Sequence, residues 1–144
     1  MQTAIDYLRV FKSLPNPVAV LDAGYHIKDA NDCFLEVTGR DLHDIRSRPL
    51  FDAFPLNPGE QERSGPLQLR AALDNVMATG KPETLPLLRY DLEDPGRPGV
   101  YEQRYWSVCI SPLPSQDGEG TRIILWGNEV TPIVSRLQAD ACTT

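Results

Sequence analysis

At residues 29–39 the chain reads Asp-Ala-Asn-Asp-Cys-Phe-Leu-Glu-Val-Thr-Gly. A half-apolar run, Tyr25-His-Ile-Lys28, leads into this amphipathic segment with no spacer. Asn31 is placed to cap a helix, because its side-chain oxygen can accept a first-turn N–H. Asp32 follows in that turn, where the helix dipole favours negative charge. Cys33, Phe34 and Val37 share one helical face, and Gly39 can take the left-handed conformation that ends a helix. A strand that turns straight into a two-turn helix leaves its sheet at residues 29–32 and crosses one face of it.

The flanking elements follow from periodicity. Ile5, Leu8 and Phe11 at helical spacing predict an amphipathic N-terminal helix, and Pro15 and Pro17 break it. Residues 17–21 read as a buried strand, Asp22-Ala-Gly24 as a tight turn, and residues 25–28 as the hairpin partner. Leu42/Ile45 and Leu50/Phe51/Phe54, split by Pro49, read as one-turn helices. After the polar loop 55–65, Pro66 opens the longest helix. Leu69, Ala72, Leu73 and Val76 form its apolar stripe, and Gly80-Lys-Pro82 stops it. The period then changes to two. Residues 83–90 predict a strand in which Pro86 marks an edge or a bulge. Residues 93–99 predict a turn-rich connection, residues 100–111 a long strand and residues 121–128 the last strand. The segment between those two carries an Asp117-Gly118 turn signal, and Thr131-Pro132 is expected to cap a final helix with Ile133, Val134, Leu137 and Ala141 on one stripe. Strands at both ends of the chain enclosing a helical middle predict an α+β domain. Its single five-stranded antiparallel sheet carries helices over one face and is flanked by N- and C-terminal helices.

Bulk properties narrow the function. The chain has 144 residues, 41% hydrophobic and 24% charged, with net charge −6. That suits one ordinary globular domain. The acidic balance and the lack of a Lys/Arg cluster argue against a nucleic-acid surface. No run is long enough to span a bilayer, and the N-terminus lacks the pattern of a secretory signal, so cytoplasmic residence is expected. Cys33, Cys109 and Cys142 are odd in number and lie at no metal-ligand spacing, so neither a disulfide scaffold nor a metal site is expected.

Several motifs, in order, resemble those of the PAS domain, a sensory and interaction module of signalling proteins. The stretch from Asp29 to Gly39 is similar to that family's second-strand-to-helix junction. The Trp106 strand, then Pro112, then Asp117-Gly118 is similar to its penultimate hairpin. Asn128-Glu-Val-Thr131 resembles its closing Asp-Ile-Thr or Asp-Val-Thr, with Glu129 in place of the usual Asp. The resemblance covers about residues 14–131 and divides the chain into an N-terminal helix (1–13), the PAS-like domain (14–131) and the start of an output helix (132–144). It implies an internal space between helices and sheet that either holds a ligand or is packed solid.

The resemblance also carries cofactor expectations. Haem-binding members use a His on the long helix, and residues 66–79 contain none; His26 and His43 lie elsewhere and read as surface or structural residues. Flavin photochemistry in the family needs a Cys after the first helices, and none lies between Cys33 and Cys109. Both are disfavoured, and the ligand's identity is open. By family analogy Tyr105, Ser107, Cys109 and Ser111 face the cavity, and Trp106, Val108 and Ile110 face away. The candidate lining is Phe34, Val37, Phe51, Leu69, Leu73, Tyr90, Tyr105, Ser107, Cys109 and Leu125. A mostly apolar pocket with a few polar anchors and a plain packed core both fit these residues. Trp106 and Trp126 are expected together on the sheet's far face, covered by Ile5, Leu8 and Phe11 of the same chain or of a partner. The resemblance implies a homodimer through that face, and an output domain such as a histidine kinase. A ligand-free interaction module is the alternative. An enzyme is not expected: Asp29, Asp32, Asp41 and Asp44 sit at caps and turns, and no nucleophile–base pair is identifiable.

Overall fold

Asn31 is the node that joins strand to helix. In the computed structural model, which describes residues 4–59, 64–114 and 120–142, this side chain is fully buried. Its Oδ1 accepts the N–H of Val18 and the N–H of Phe34, each at 3.0 Å, and its Nδ2 donates to the Asn16 carbonyl. Its backbone N–H donates to the Val18 carbonyl. One residue therefore caps the helix and holds the first strand to the second.

The elements run α1 (Tyr7–Ser13), β1 (Val18–Leu21), β2 (Ile27–Ala30), α2 (Asp32–Thr38), α3 (Leu42–Ile45), α4 (Leu50–Ala53), α5 (Ser64–Thr79), β3 (Glu83–Arg89), β4 (Leu92–Glu93), β5 (Tyr101–Glu102), β6 (Tyr105–Leu113), β7 (Arg122–Glu129) and α6 (Thr131–Cys142). Five strands form one antiparallel sheet in the order β2-β1-β7-β6-β3, and β4 and β5 form a separate small hairpin. Gly39 ends α2 at φ 68°. The stripe Leu69, Ala72, Leu73 and Val76 buries α5 on the sheet. Gly65 lets the start of α5 approach β3, since a Cβ there would lie 1.6 Å from the Arg89 carbonyl oxygen.

Residues directly opposite in an antiparallel ladder share a face. The inner, helix-covered face carries Ala19, Leu21, Leu88, Trp106, Val108, Ile110, Ile123 and Leu125. The outer face carries Val20, Cys109, Ile124 and Trp126. Both borders of the sheet are modified. Ile27 of β2 exchanges hydrogen bonds with Arg48 and Ser47, and β3 carries a register shift between Leu85 and Leu88, around Pro86.

Three expectations change. The predicted strand at 25–28 begins at Ile27, because Tyr25 takes φ 65° as the last residue of a turn held by Asp22. The predicted strand 100–111 is broken in two. The Arg104 carbonyl accepts from Tyr90 N–H and its N–H donates to the Asp91 carboxylate, which pulls residues 103–104 out of line. Thr131 does not cap α6. Its hydroxyl instead accepts the N–H of Tyr105 at 2.9 Å and ties the helix to β6. The Asp117-Gly118 turn lies outside the described residues.

Candidate functional site

Between the inner face and the helices lies a cavity of about 80 Å³. The helices contribute Phe34 and Thr38 from α2, Leu50 from α4 and Leu69 from α5. Phe54 follows α4. The strands contribute Leu88, Leu92, Trp106, Val108 and Leu125. Phe34 meets Phe54 edge to face, with ring centroids 5.8 Å apart, an arrangement favoured by the ring quadrupoles. The cavity continues to Pro17 and the stretch Trp126-Gly127-Asn128. Gly127 allows close packing there, because a Cβ would lie 1.9 Å from the Ser107 carbonyl oxygen.

Three polar groups of the wall are already used. Tyr90 OH donates to the Phe54 carbonyl at 2.6 Å, Trp106 Nε1 donates to the Tyr90 carbonyl at 3.0 Å, and Thr38 Oγ1 donates to the Phe34 carbonyl at 2.8 Å. Burial, with the nearby Tyr101, pushes the Tyr90 phenol well above its ordinary value, so it stays a neutral donor. The space is therefore apolar in character.

The predicted residues separate into groups. Phe34, Leu69, Tyr90 and Leu125 line the cavity, and Ser107 borders it beside Gly127. Leu73 is fully buried in the adjoining core. Val37 and Phe51 do not reach the cavity wall, where Thr38 and Phe54 stand instead. Phe51 packs under the Arg70 guanidinium. The expected orientation of β6 is reversed. Cys109 pairs with Trp126 and Ile110 with Leu125, so Tyr105, Ser107, Cys109 and Ser111 lie on the outer register and Trp106 faces in. Trp106 is accordingly not part of an outer tryptophan pair, whereas Trp126 is outward and 41% exposed. The N-terminal helix has no buried residue, and Ile5 and Leu8 are exposed, with Phe11 half-buried. It lies beside α2, where Lys12 Nζ reaches Asp29 and the Ala30 carbonyl, each at 2.9 Å.

Beside the cavity, β4 and β5 are organised by Asp91. Its buried carboxylate accepts from Arg89 Nε and Nη2, from Asn57 Nδ2 and from Arg104 N–H. The Arg104 side chain continues the network. Its Nη1 reaches Glu129 at 2.9 Å and the Val37 carbonyl at 3.2 Å, and its Nη2 reaches Glu102 at 3.0 Å. Val130 N–H donates to the Tyr105 carbonyl at 2.8 Å. The head of α6 is thus fastened to β6 one residue from Trp106, a cavity residue. No position in sequence alone singled out Arg104. Among the described residues no cluster of His, Cys, Asp and Glu could hold a metal, and no helix is long and apolar enough to cross a membrane.

A sequence profile described as the PAS fold matches residues 11–132. The chain belongs to the PAS family. No curated protein matches it. Among solved structures, this PAS domain is similar to an RNA-binding Light-Oxygen-Voltage receptor, at 22% identity and TM-score 0.67, over 95% of this chain and 36% of that one. It therefore spans about a third of that receptor. It is also similar to the PAS domain of nitrogen regulation protein NR(II) from Vibrio parahaemolyticus, at 13% identity and TM-score 0.63, over 88% and 99% of the two chains. A PAS domain from a two-component sensor histidine kinase matches at 12% identity and TM-score 0.59, over 84% and 90%. At these identities the likeness concerns the fold. The family is one of signalling modules.

Proposed function

We propose that residues 14–131 form a cytoplasmic sensory unit that binds a small, mainly apolar molecule in the inner cavity. Helices α1 and α6 flank it, and α6 carries the signal to an output domain such as a histidine kinase. The observation that carries this reading is the placement of the cavity. Trp106 lines it, and the adjacent Tyr105 holds Val130 and Thr131 at the start of α6. A ligand that fits one arrangement of β6 better than another shifts α6 by its difference in affinity for the two. The domain works as a homodimer, paired through the outer face around Trp126 and through α1 and the residues just before it, where Leu8 and Ile5 are exposed.

The second reading is a dimerisation module without a ligand. It is favoured by three polar groups of the wall, on Tyr90, Trp106 and Thr38, which bond to carbonyls of the protein itself. Native followed by denaturing mass spectrometry, with an absorbance spectrum, separates the two. A released small molecule supports the sensory reading. A bare mass that stays bare after exposure to a panel of small apolar compounds overturns it. The native spectrum also reports whether the chain is paired.

A further inference from the structure

We infer that the ligand is an uncharged molecule built on a single aromatic ring, seated among Phe34, Phe54, Tyr90 and Trp106. The inference rests on the cavity being a ligand site. All four side chains line that cavity, and they hold one another in place. Trp106 Nε1 donates to the Tyr90 carbonyl, Tyr90 OH donates to the Phe54 carbonyl, and the Phe54 ring meets Phe34 edge to face. Trp106 belongs to β6 and Tyr90 follows β3, whereas Phe34 belongs to α2 and Phe54 follows α4. Sheet and helices therefore each present two rings to the same space. A guest ring gains from the opposed charges of ring face and ring edge, a gain that a saturated ring of the same skeleton lacks.

The wall also sets limits. Among the described residues no Lys, Arg, His, Asp or Glu lines it, and the donors of Thr38, Tyr90 and Trp106 are engaged by carbonyls. A carboxylate or ammonium carried inside would lose its water and find no charged partner. The volume, about 80 Å³, is below the roughly 150 Å³ of a sealed apolar cavity that holds benzene. Here the space has two ends. Phe54 and Tyr90 are buried, while Phe34, Trp106 and Val108 are half-buried and form a mouth. One ring fits with its substituent at that mouth, where a neutral hydroxyl keeps its contact with water. Contact with Trp106 also puts the ring next to Tyr105, the residue that holds the head of α6.

The test is a titration of the whole chain with benzyl alcohol, cyclohexylmethanol and benzoate, read by calorimetry and by Trp106 fluorescence in a Trp126→Phe background. The saturated ring is bulkier and more apolar, so burial alone would favour cyclohexylmethanol. Benzyl alcohol is expected to bind at least about threefold more tightly than cyclohexylmethanol, and at least about tenfold more tightly than benzoate. Phe54→Leu and Phe34→Leu, which each remove one ring of the wall, are expected to lower the aromatic preference. Phe34 is half-buried, so its variant keeps the test open where Phe54→Leu does not fold. Equal or tighter binding of cyclohexylmethanol, or an aromatic preference undiminished in the folded variants, overturns the aromatic inference and leaves the cavity a ligand site. Benzoate binding as tightly as benzyl alcohol overturns the requirement for an uncharged ligand. Failure of all three compounds to bind at millimolar concentration overturns both the inference and the ligand site.

Discussion

Arg104 Nη1 lies 2.9 Å from Glu129 Oε1, two residues before the start of α6. The same guanidinium also bonds the Val37 carbonyl at the end of α2 and the Glu102 carboxylate in β5. Both partners of the Arg104–Glu129 pair are largely shielded, so water screens it less than a surface pair. Glu129→Gln is expected to cost about 1 kcal/mol, and Arg104→Ala about 2–3 kcal/mol because it also strips two other acceptors. Amide hydrogen exchange in α6 should quicken in both variants. Unchanged exchange in Arg104→Ala would mean that the pair does not hold the helix.

Asn31 satisfies two backbone N–H groups and one carbonyl from inside the core. Asn31→Ala removes a helix cap and leaves buried groups without partners, at a combined cost of about 3 kcal/mol. Urea denaturation measures this directly. Asn31→Asp keeps the two accepted bonds, but when ionised it sets an oxygen against the Asn16 carbonyl and buries a charge. Recovery of the loss should therefore be greater at pH low enough to protonate it, where the acid can donate to that carbonyl.

Asp91 gives the fold an acid sensitivity. Burial alone would raise its carboxyl, but hydrogen bonds from Arg89, Asn57 and the Arg104 N–H outweigh it and hold the group below its ordinary 3.8. A folded value below the unfolded one adds stability that is fully present above the unfolded value. That stability is lost as pH falls through the unfolded value towards the folded one. The Tm of the parent protein should therefore drop between about pH 5 and about pH 3 more steeply than that of Asp91→Asn. At neutral pH Asp91→Asn should be less stable by about 2 kcal/mol, since it breaks charged hydrogen bonds at a side chain only 3% exposed. Parallel melting profiles for the two proteins would count against this assignment.

The two tryptophans should report opposite environments. Trp106 faces the core, with its indole N–H bonded to the Tyr90 carbonyl, and Trp126 is outward. In Trp126→Phe the remaining emission should be blue-shifted and resist iodide quenching, and in Trp106→Phe it should be red-shifted and quench readily. If Trp126 lies in a dimer interface, its quenching will rise on dilution. Equal quenching of both residues would show that they share one face.

Phe34→Trp enlarges a side chain that borders empty space. It should fold with a stability change within about 1 kcal/mol, because the cavity absorbs the added volume. The same variant should block ligand uptake. Retention of bound small molecule at parental levels would sink the claim that Phe34 lines the occupied space.

The contrast between Phe34 and Trp106 explains what sequence carried and what it did not. Asn31, Phe34 and Gly39 form a local code of cap, apolar face and left-handed stop, and each took the expected place. The α5 stripe was equally legible from its period. In β6, alternation separates two sets of residues but does not say which set faces in. Family analogy selected Tyr105, Ser107, Cys109 and Ser111. The plain rule that the more apolar set goes inside would have selected Trp106, Val108 and Ile110, which is where the ladder to β7 puts them. Arg104 and Asp91 were invisible for another reason. Their roles depend on partners far away in sequence, such as Val37 and Asn57, which only the folded chain brings near.

The margins of the sheet bear on how this protein meets its own kind. On one side Ile27 is already engaged by Ser47 and Arg48, and on the other Pro86 removes an amide where the strand shifts register. A foreign strand seeking a straight row of free amides finds neither border receptive, which guards crowded chains against stacking end on end into fibrils. A second copy of the chain would have to dock on a broad surface, where side chains rather than backbone choose the companion.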